Sequence, residues 1–258
     1  MLIYTDQLNN KLKLTSTPKR IISIVPSQSE FLWEIGIRKE LIGITKFCIH
    51  PNKMFTSIER VGGTKKLNFK KIRALKPDLI IANKEENNQQ EIELLQKEFN
   101  VWISDIYNFK DAFKMMEKLS IILNKEAETQ KLITDIKASL RPIKNIFKQK
   151  TVAYFIWNKP YMLAASNTYI NFILNYLGLT NATESMQRYP EVDNDALKKL
   201  NPNLCFLSSE PFPFKQKHVL ELQQILPNSK ILIVDGEVFS WYGPRMVHLA
   251  DFVKQINV

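Results

Sequence analysis

Two stretches of this chain repeat one another 125 residues apart. Phe69–Glu85 lies over Asn194–Glu210, with Leu75 on Leu200, Pro77 on Pro202, Leu79 on Leu204 and Glu85 on Glu210. In each, a short amphipathic helix stops at a proline turn and enters a buried strand that ends near a glutamate. Helix–proline–strand is a common connector, so one such pair carries little. A second echo in the same order carries more: the opening strand and helix, Ile21–Gly36, correspond to Val152–Gly178. Between the halves lie about forty residues without a strand pattern. These features restrict the chain to two similar α/β lobes with a helical spacer.

The opening stretch shows how one lobe begins. Ile21, Ile22, Ile24 and Val25 form a short β-branched run, as expected of a strand covered on both faces. Pro26 ends it. Ser27 is then placed to cap a helix, with Glu30 three residues on as the partner of a capping box. Phe31, Leu32 and Ile35 give that helix an apolar face, and Gly36 stops it. A strand feeding a helix N-terminus puts loop backbone at the strand's carboxyl end, where open α/β sheets bind ligands. That makes Pro26 a candidate ligand neighbour. An ordinary βα unit without a ligand has the same pattern.

Before this stretch, residues 2–15 read as a hairpin turning at Asn9 and Asn10. After it, strands over Leu41–Thr45, Leu79–Ala82 and Val101–Ser104 alternate with helices, implying a mainly parallel sheet. From Asn108 the pattern changes. Asn108 caps a helix with Asp111 in its first turn, and Asn124 restarts a second. Ile133, Ile136, Leu140, Ile143 and Phe147 fall on one helical face. Such a helix of about 24 residues is about 36 Å long, with a kink expected at Pro142. Alternation resumes with a strand over Thr151–Trp157, a helix over Tyr169–Leu177, and strands at Leu204–Leu207 and Ile231–Val234, closed by a helix over Arg245–Ile256. The expected organisation is an N-terminal lobe over 1–108, a helical linker over 109–148 and a C-terminal lobe over 149–258. The fold class is α/β: two Rossmann-like lobes with mainly parallel sheets, joined by one long backbone α-helix.

Bulk properties exclude several classes. No window approaches about 18 uncharged apolar residues, the length of a membrane-spanning helix. The two cysteines, Cys48 and Cys205, are far apart, and no second Cys/His pair joins Cys48 and His50 to make a metal site. The net charge of +10 favours anionic partners. The lysines are nevertheless scattered along helix faces, with no dense basic stretch or nucleic-acid motif, so nucleic acid is not expected. The first residues, Met1–Gln7, lack a basic segment followed by an apolar one. Read literally, this implies a cytoplasmic chain. A leader outside the given sequence would make it periplasmic or membrane-associated.

Loops expected at the strand ends carry Phe47, Thr64, Trp157, Tyr161, Tyr189, Phe212, Phe214, Trp241 and Tyr242. Aromatic rings in loops suit a large, flat, partly apolar ligand, though some will pack as satellite clusters under their own loops. No motif for a catalytic nucleophile, phosphate loop or zinc site occurs. Glu85, Glu86 and Glu184 have no partner at meaningful spacing. No catalytic residue, metal site or intrinsic cofactor is expected.

Taken with Leu41–Thr45 and Pro51, Val61–Gly63, Asn68–Ile81 and Asn201–Leu204, the run Arg20–Glu30 resembles the class III, helical-backbone substrate-binding proteins of ABC importers. Within that family the cobalamin, ferric-siderophore and haem binders are the relevant group, and the cobalamin type is most similar. The resemblance spans about residues 18–257 and implies two lobes, a stiff helical hinge and a ligand held between the lobes. By these motifs Phe47, Tyr161 and Tyr189 fall on pocket aromatics of the cobalamin binder. Thr64 falls on a pocket tryptophan, and Trp241 sits near a tryptophan of the last loop. The family also docks on its transporter through one carboxylate per lobe. Those positions here are Lys70, which reverses the charge, and Asp195, which keeps it. Glu85, Glu86 or Glu210 are substitutes for the lost one.

The expectation is a monomeric, non-enzymatic binding protein for a corrinoid (cobalamin-like) or other metal chelate such as haem or a ferric siderophore. Aromatics would grip the macrocycle, and Arg245 would meet anionic groups. Its partners would be the small-molecule chelate and an ABC transporter permease dimer. The alternative is an intracellular relative using the same cleft to handle corrinoid or haem, or as an enzyme on a small substrate.

Overall fold

The structure is a computed structural model that describes residues 2–147 and 150–256. The chain groups into two compact units. The first comprises Met1–Ile136 and Tyr242–Pro244; the second comprises Lys137–Trp241 and Arg245–Val258. The expected boundary between residues 148 and 149 lies outside the described residues.

The first unit opens with the antiparallel hairpin β1 (Leu2–Thr5) and β2 (Lys11–Leu14). Then come β3 (Ile21–Ser23), α1 (Pro26–Glu34), β4 (Leu41–Ile44), α2 (Asn52–Ser57), β5 (Glu59–Arg60), α3 (Phe69–Leu75), β6 (Leu79–Asn83), α4 (Gln89–Gln96) and β7 (Val101–Ser104). Five of these strands form one parallel sheet in the order β5-β4-β3-β6-β7. Alternate residues of β3 and β6 point to opposite faces, and all are buried, as a sheet covered on both sides requires. One face packs Ile22, Ile24, Ile72, Ile80 and Leu95 into a continuous cluster.

Two long helices follow, α5 (Phe109–Leu123) and α6 (Glu126–Leu140). The Asn108 side chain caps α5 by accepting from the Asp111 N–H, as expected. Asn124 does not restart the next helix. It ends α5 in the left-handed conformation at φ +54°, a position asparagine tolerates. The chain passes from the first unit to the second within α6. This helix has 15 residues and so is about 22 Å long, shorter than expected. Pro142 does not kink it. The α-helix stops at Leu140, and Pro142 sits in a 3-10 turn over Arg141–Ile143. Proline has no N–H to donate back along the helix, and its ring crowds the preceding turn.

The second unit is built on β8 (Thr151–Trp157), β9 (Tyr161–Leu163), α7 (Tyr169–Tyr176), β10 (Thr180–Asn181), β11 (Glu191–Val192), α8 (Asn194–Leu200), β12 (Leu204–Ser208), α9 (Gln216–Ile225), β13 (Lys230–Val234), α10 (Gly236–Ser240) and α11 (His248–Gln255). The sheet runs β11-β9-β8-β12-β13, and β10 also pairs with β8. Strands β10, β12 and β13 run parallel with β8 or with one another. β9 is antiparallel to β8, and β11 to β9. Ala153, Phe155, Leu197, Cys205, Leu207 and Leu222 form the core cluster on one face. Both units are Rossmann-like and mainly parallel, as the alternation implied. Among the described residues no helix is long and apolar enough to cross a membrane.

Candidate functional site

In the first unit, α1 starts two residues earlier than expected, with Val25 rather than Ser27 at the N-cap position. Pro26 occupies its first turn, because proline's fixed φ suits that position and its missing N–H costs nothing there. Ser27 therefore lies inside the helix, and no side chain caps the N-terminus. Gly36 terminates the helix as expected, at φ +89°. Asn87 ties the neighbouring loop to this turn. Its amide donates to the carbonyls of Ile24 (3.1 Å) and Thr64 (3.0 Å) and accepts from the Asn83 N–H (2.8 Å). Thr64 and Pro26 are thus held at one end of the sheet. Phe47 lies on the loop after β4, and about half of its surface is exposed (48%). The Lys46 ammonium sits 5.0 Å from its ring centroid, and the Lys46 N–H donates to the Gly62 carbonyl.

Beneath these loops is a buried polar network that the sequence did not announce. The Gln28 amide donates to Ser104 Oγ and, at 2.9 Å, to the Tyr242 hydroxyl. Asn83 Nδ2 donates to the same Ser104 oxygen at 2.9 Å. Burial pushes the Tyr242 phenol well up, so it stays protonated. The signal available beforehand was the polar residue closing each apolar run, Asn83 after Leu79–Ala82 and Ser104 after Val101–Ile103. Cys48 is buried between Ser29 Oγ and Thr45 Oγ1, each 3.2 Å from its sulfur, and burial raises its pKa.

In the second unit Tyr161 opens β9, with its ring edge-on to Phe155 at 5.6 Å. Burial, and then the charge of Glu221, push its phenol up. Tyr161 lines a concave surface of about 1060 Å³ together with Glu191, Asp193, Asp195 and Glu221. Tyr189 precedes β11, whose neighbour Pro190 accepts from the Leu163 N–H of β9. The Arg188 guanidinium lies 5.6 Å from the Tyr189 ring centroid. Trp157, at the exposed end of β8, meets Phe212 edge-on at 5.6 Å.

Trp241 and Arg245 belong to a separate cluster. The Trp241 indole N–H donates to Glu210 Oε1 at 3.1 Å, and Ser240 Oγ donates to the same oxygen at 3.0 Å. The Arg245 guanidinium lies 5.2 Å from the Trp241 ring centroid and pairs with Glu237 at 3.0 Å. Burial raises the pKa of both Glu210 and Glu237. Gly236 allows this packing: a Cβ there would lie 2.6 Å from Glu210 Cγ and would also strike Ser208 Oγ.

The chain matches the periplasmic binding protein family over residues 21–226. It is a member of that family. It is therefore a binding protein rather than an enzyme. A similar curated relative is an uncharacterized ABC transporter substrate-binding lipoprotein of Bacillus subtilis, 25% identical over 94% of this chain and 81% of the relative. A vitamin B12-binding protein of Vibrio parahaemolyticus is 25% identical over 80% of this chain and 77% of its own length. The crystal structure of a possible iron-binding periplasmic protein from Staphylococcus epidermidis superimposes with a TM-score of 0.79 at 21% identity, covering 94% of this chain and all of that one.

The carboxylates expected to dock a periplasmic binding protein on its transporter are placed differently from one another. Asp195 is in the first turn of α8, with its side chain 85% exposed and 3.8 Å from Lys198. Lys70 is exposed on α3. Glu85 is half-buried, and its backbone N–H is capped by Asn83 Oδ1. Glu210 is occupied with Ser240 and Trp241. Glu237 was not singled out from the sequence, because its pairing with Arg245 depends on how α10 packs.

Proposed function

We propose that this periplasmic binding protein captures a bulky metal chelate of the corrinoid or tetrapyrrole kind outside the cytoplasmic membrane. As a monomer, it would pass the chelate to an ABC transporter permease dimer. The ligand contacts assigned to it are Pro26, Phe47 and Thr64 in the first unit and Tyr161, Tyr189, Trp241 and Arg245 in the second. Asp195 is assigned to docking, with Glu85 and Glu210 in lesser roles. The family match carries the reading, and the vitamin B12-binding relative supports the choice of chelate. Aromatic rings on otherwise polar loops suit the broad apolar surface of a macrocycle. Titration calorimetry with cyanocobalamin, haemin and a ferric siderophore at about 100 µM tests it. Binding of one of them at about micromolar affinity or better, near −8 kcal/mol, is expected. No heat from any of the three overturns it.

A further inference from the structure

On the reading just given, we propose that Trp157 is the ring of the second unit on which a flat macrocycle stacks. Trp157 is the last residue of β8, and β8, β12 and β13 run parallel. It therefore stands at the carboxyl end of these strands, where open α/β sheets take their ligands. The other three tryptophans are buried: Trp33, Trp102 and Trp241 are 8%, 0% and 6% exposed, whereas Trp157 is 41% exposed. Trp241 has little surface to offer a ligand, and its indole N–H is given to Glu210.

A single exposed ring means little on its own. Two further features set this one apart. The pairing of β8 with β9 shifts register, so that Phe155 lies opposite Leu163 but Trp157 lies opposite Met162. An irregularity of that kind breaks the alternation of a strand and re-aims the side chain beyond it. Phe155 stays fully buried in the core cluster, while Trp157, two residues on, reaches solvent.

The ring is also backed by others. Phe212 meets it at 5.6 Å, and Phe214 meets Phe212 at 4.8 Å. His218 lies 5.2 Å from Phe212 and 5.5 Å from Phe214. Phe214 and His218 are buried, and His218 Nδ1 accepts from the Lys215 N–H at 2.8 Å, which fixes the imidazole. The exposed indole thus rests on a packed aromatic base, and a ligand that meets it has little side-chain freedom to freeze. The result is an ordered, flat, apolar surface in contact with water. It matches the broad face of a corrin or porphyrin and offers little to a hydroxamate chelate of iron.

The test is calorimetry on the full chain with cyanocobalamin, haemin and a ferric hydroxamate siderophore, repeated on three variants. Trp157→Ala is expected to weaken binding of the macrocycle that the protein takes by about 30-fold. Trp157→Phe keeps a ring and should stay within about threefold. Trp157→Leu keeps apolar contact with Phe212 but not the flat ring. It should lose about tenfold, and it serves if Trp157→Ala fails to fold. Macrocycle affinity that is unmoved in whichever of these two variants folds, even with a lowered melting temperature, is the outcome of a merely structural tryptophan. It overturns this inference and leaves the proposed function standing. Binding of the ferric hydroxamate alone does the same. No heat from any of the three chelates overturns both.

Discussion

The two units share one element almost residue for residue and differ in what is attached to it. Helix α3 and strand β6 occupy 69–75 and 79–83, and α8 and β12 occupy 194–200 and 204–208, the same spans 125 residues on. Asn68 caps one helix and Asp193 the other, each accepting from a backbone N–H three residues ahead. Lys76 and Asn201 end them in the left-handed conformation at φ +46° and +39°. β6 pairs with β3 from Ile21, and β12 with β8 from Val152. The other edge of the opening strand diverges. β3 pairs with a parallel neighbour, β4. β8 is seven residues long, pairs with β10 only at Thr151 and Val152, and then turns back into the antiparallel β9. That hairpin carries Trp157 and Tyr161. The local helix–turn–strand is the shared scaffold, and candidate ligand residues lie on the part that differs.

The comparison can be broken most sharply in the core. Ile81 and Phe206 occupy corresponding positions and are fully buried. Phe206→Ala is expected to cost about 4 kcal/mol and Ile81→Ala about 3 kcal/mol in urea-induced unfolding. A loss below about 1 kcal/mol at either position would show that the two strands are not equally central.

The strand ends give a smaller contrast. Asn83 Oδ1 accepts from the Glu85 and Glu86 N–H groups while its amide reaches Ser104. The corresponding Ser208 donates to the Glu210 carbonyl and accepts from the Tyr154 hydroxyl. Asn83→Ala should cost about 2–3 kcal/mol and Ser208→Ala about 1 kcal/mol, read from the same denaturation curves. Equal losses would mean that the larger network adds nothing.

The smallest effect sharpens the turn. Lys76→Gly should stabilise by about 1 kcal/mol, because lysine gains nothing in the left-handed region, whereas Asn201→Gly should give only a few tenths. Thermal melts of the two variants check the order.

These particulars also show what the sequence could carry. The strand Thr151–Trp157 matches its expected bounds because a continuous β-branched and aromatic run leaves little else possible. The repeat survives to the residue because both copies contain their own cap and proline turn. β9 was missed because three residues after a proline carry no periodicity; pairing with β8 and β11 makes it a strand. α10 was missed for the same reason, being five residues long. Pro26 opens a helix where the sequence pattern alone marks the end of a strand, since proline does both with equal ease. Of the aromatics expected on loops, Trp157 closes β8, Tyr161 opens β9, and Phe214, Trp241 and Tyr242 are buried. The pairing of Glu237 with Arg245, and of Glu210 with Trp241, was not legible, because those contacts arise only when distant segments pack.

The three residues Tyr242–Pro244 belong with the first unit although they lie near the end of the chain. A gene cut after Ile136 would therefore not yield two complete fragments. The amino-terminal piece would lack the phenol that Gln28 donates to, and a buried amide would be left open to water or collapse. Fragment complementation would have to supply that tripeptide in trans, so the protein is best reassembled from pieces that overlap rather than abut.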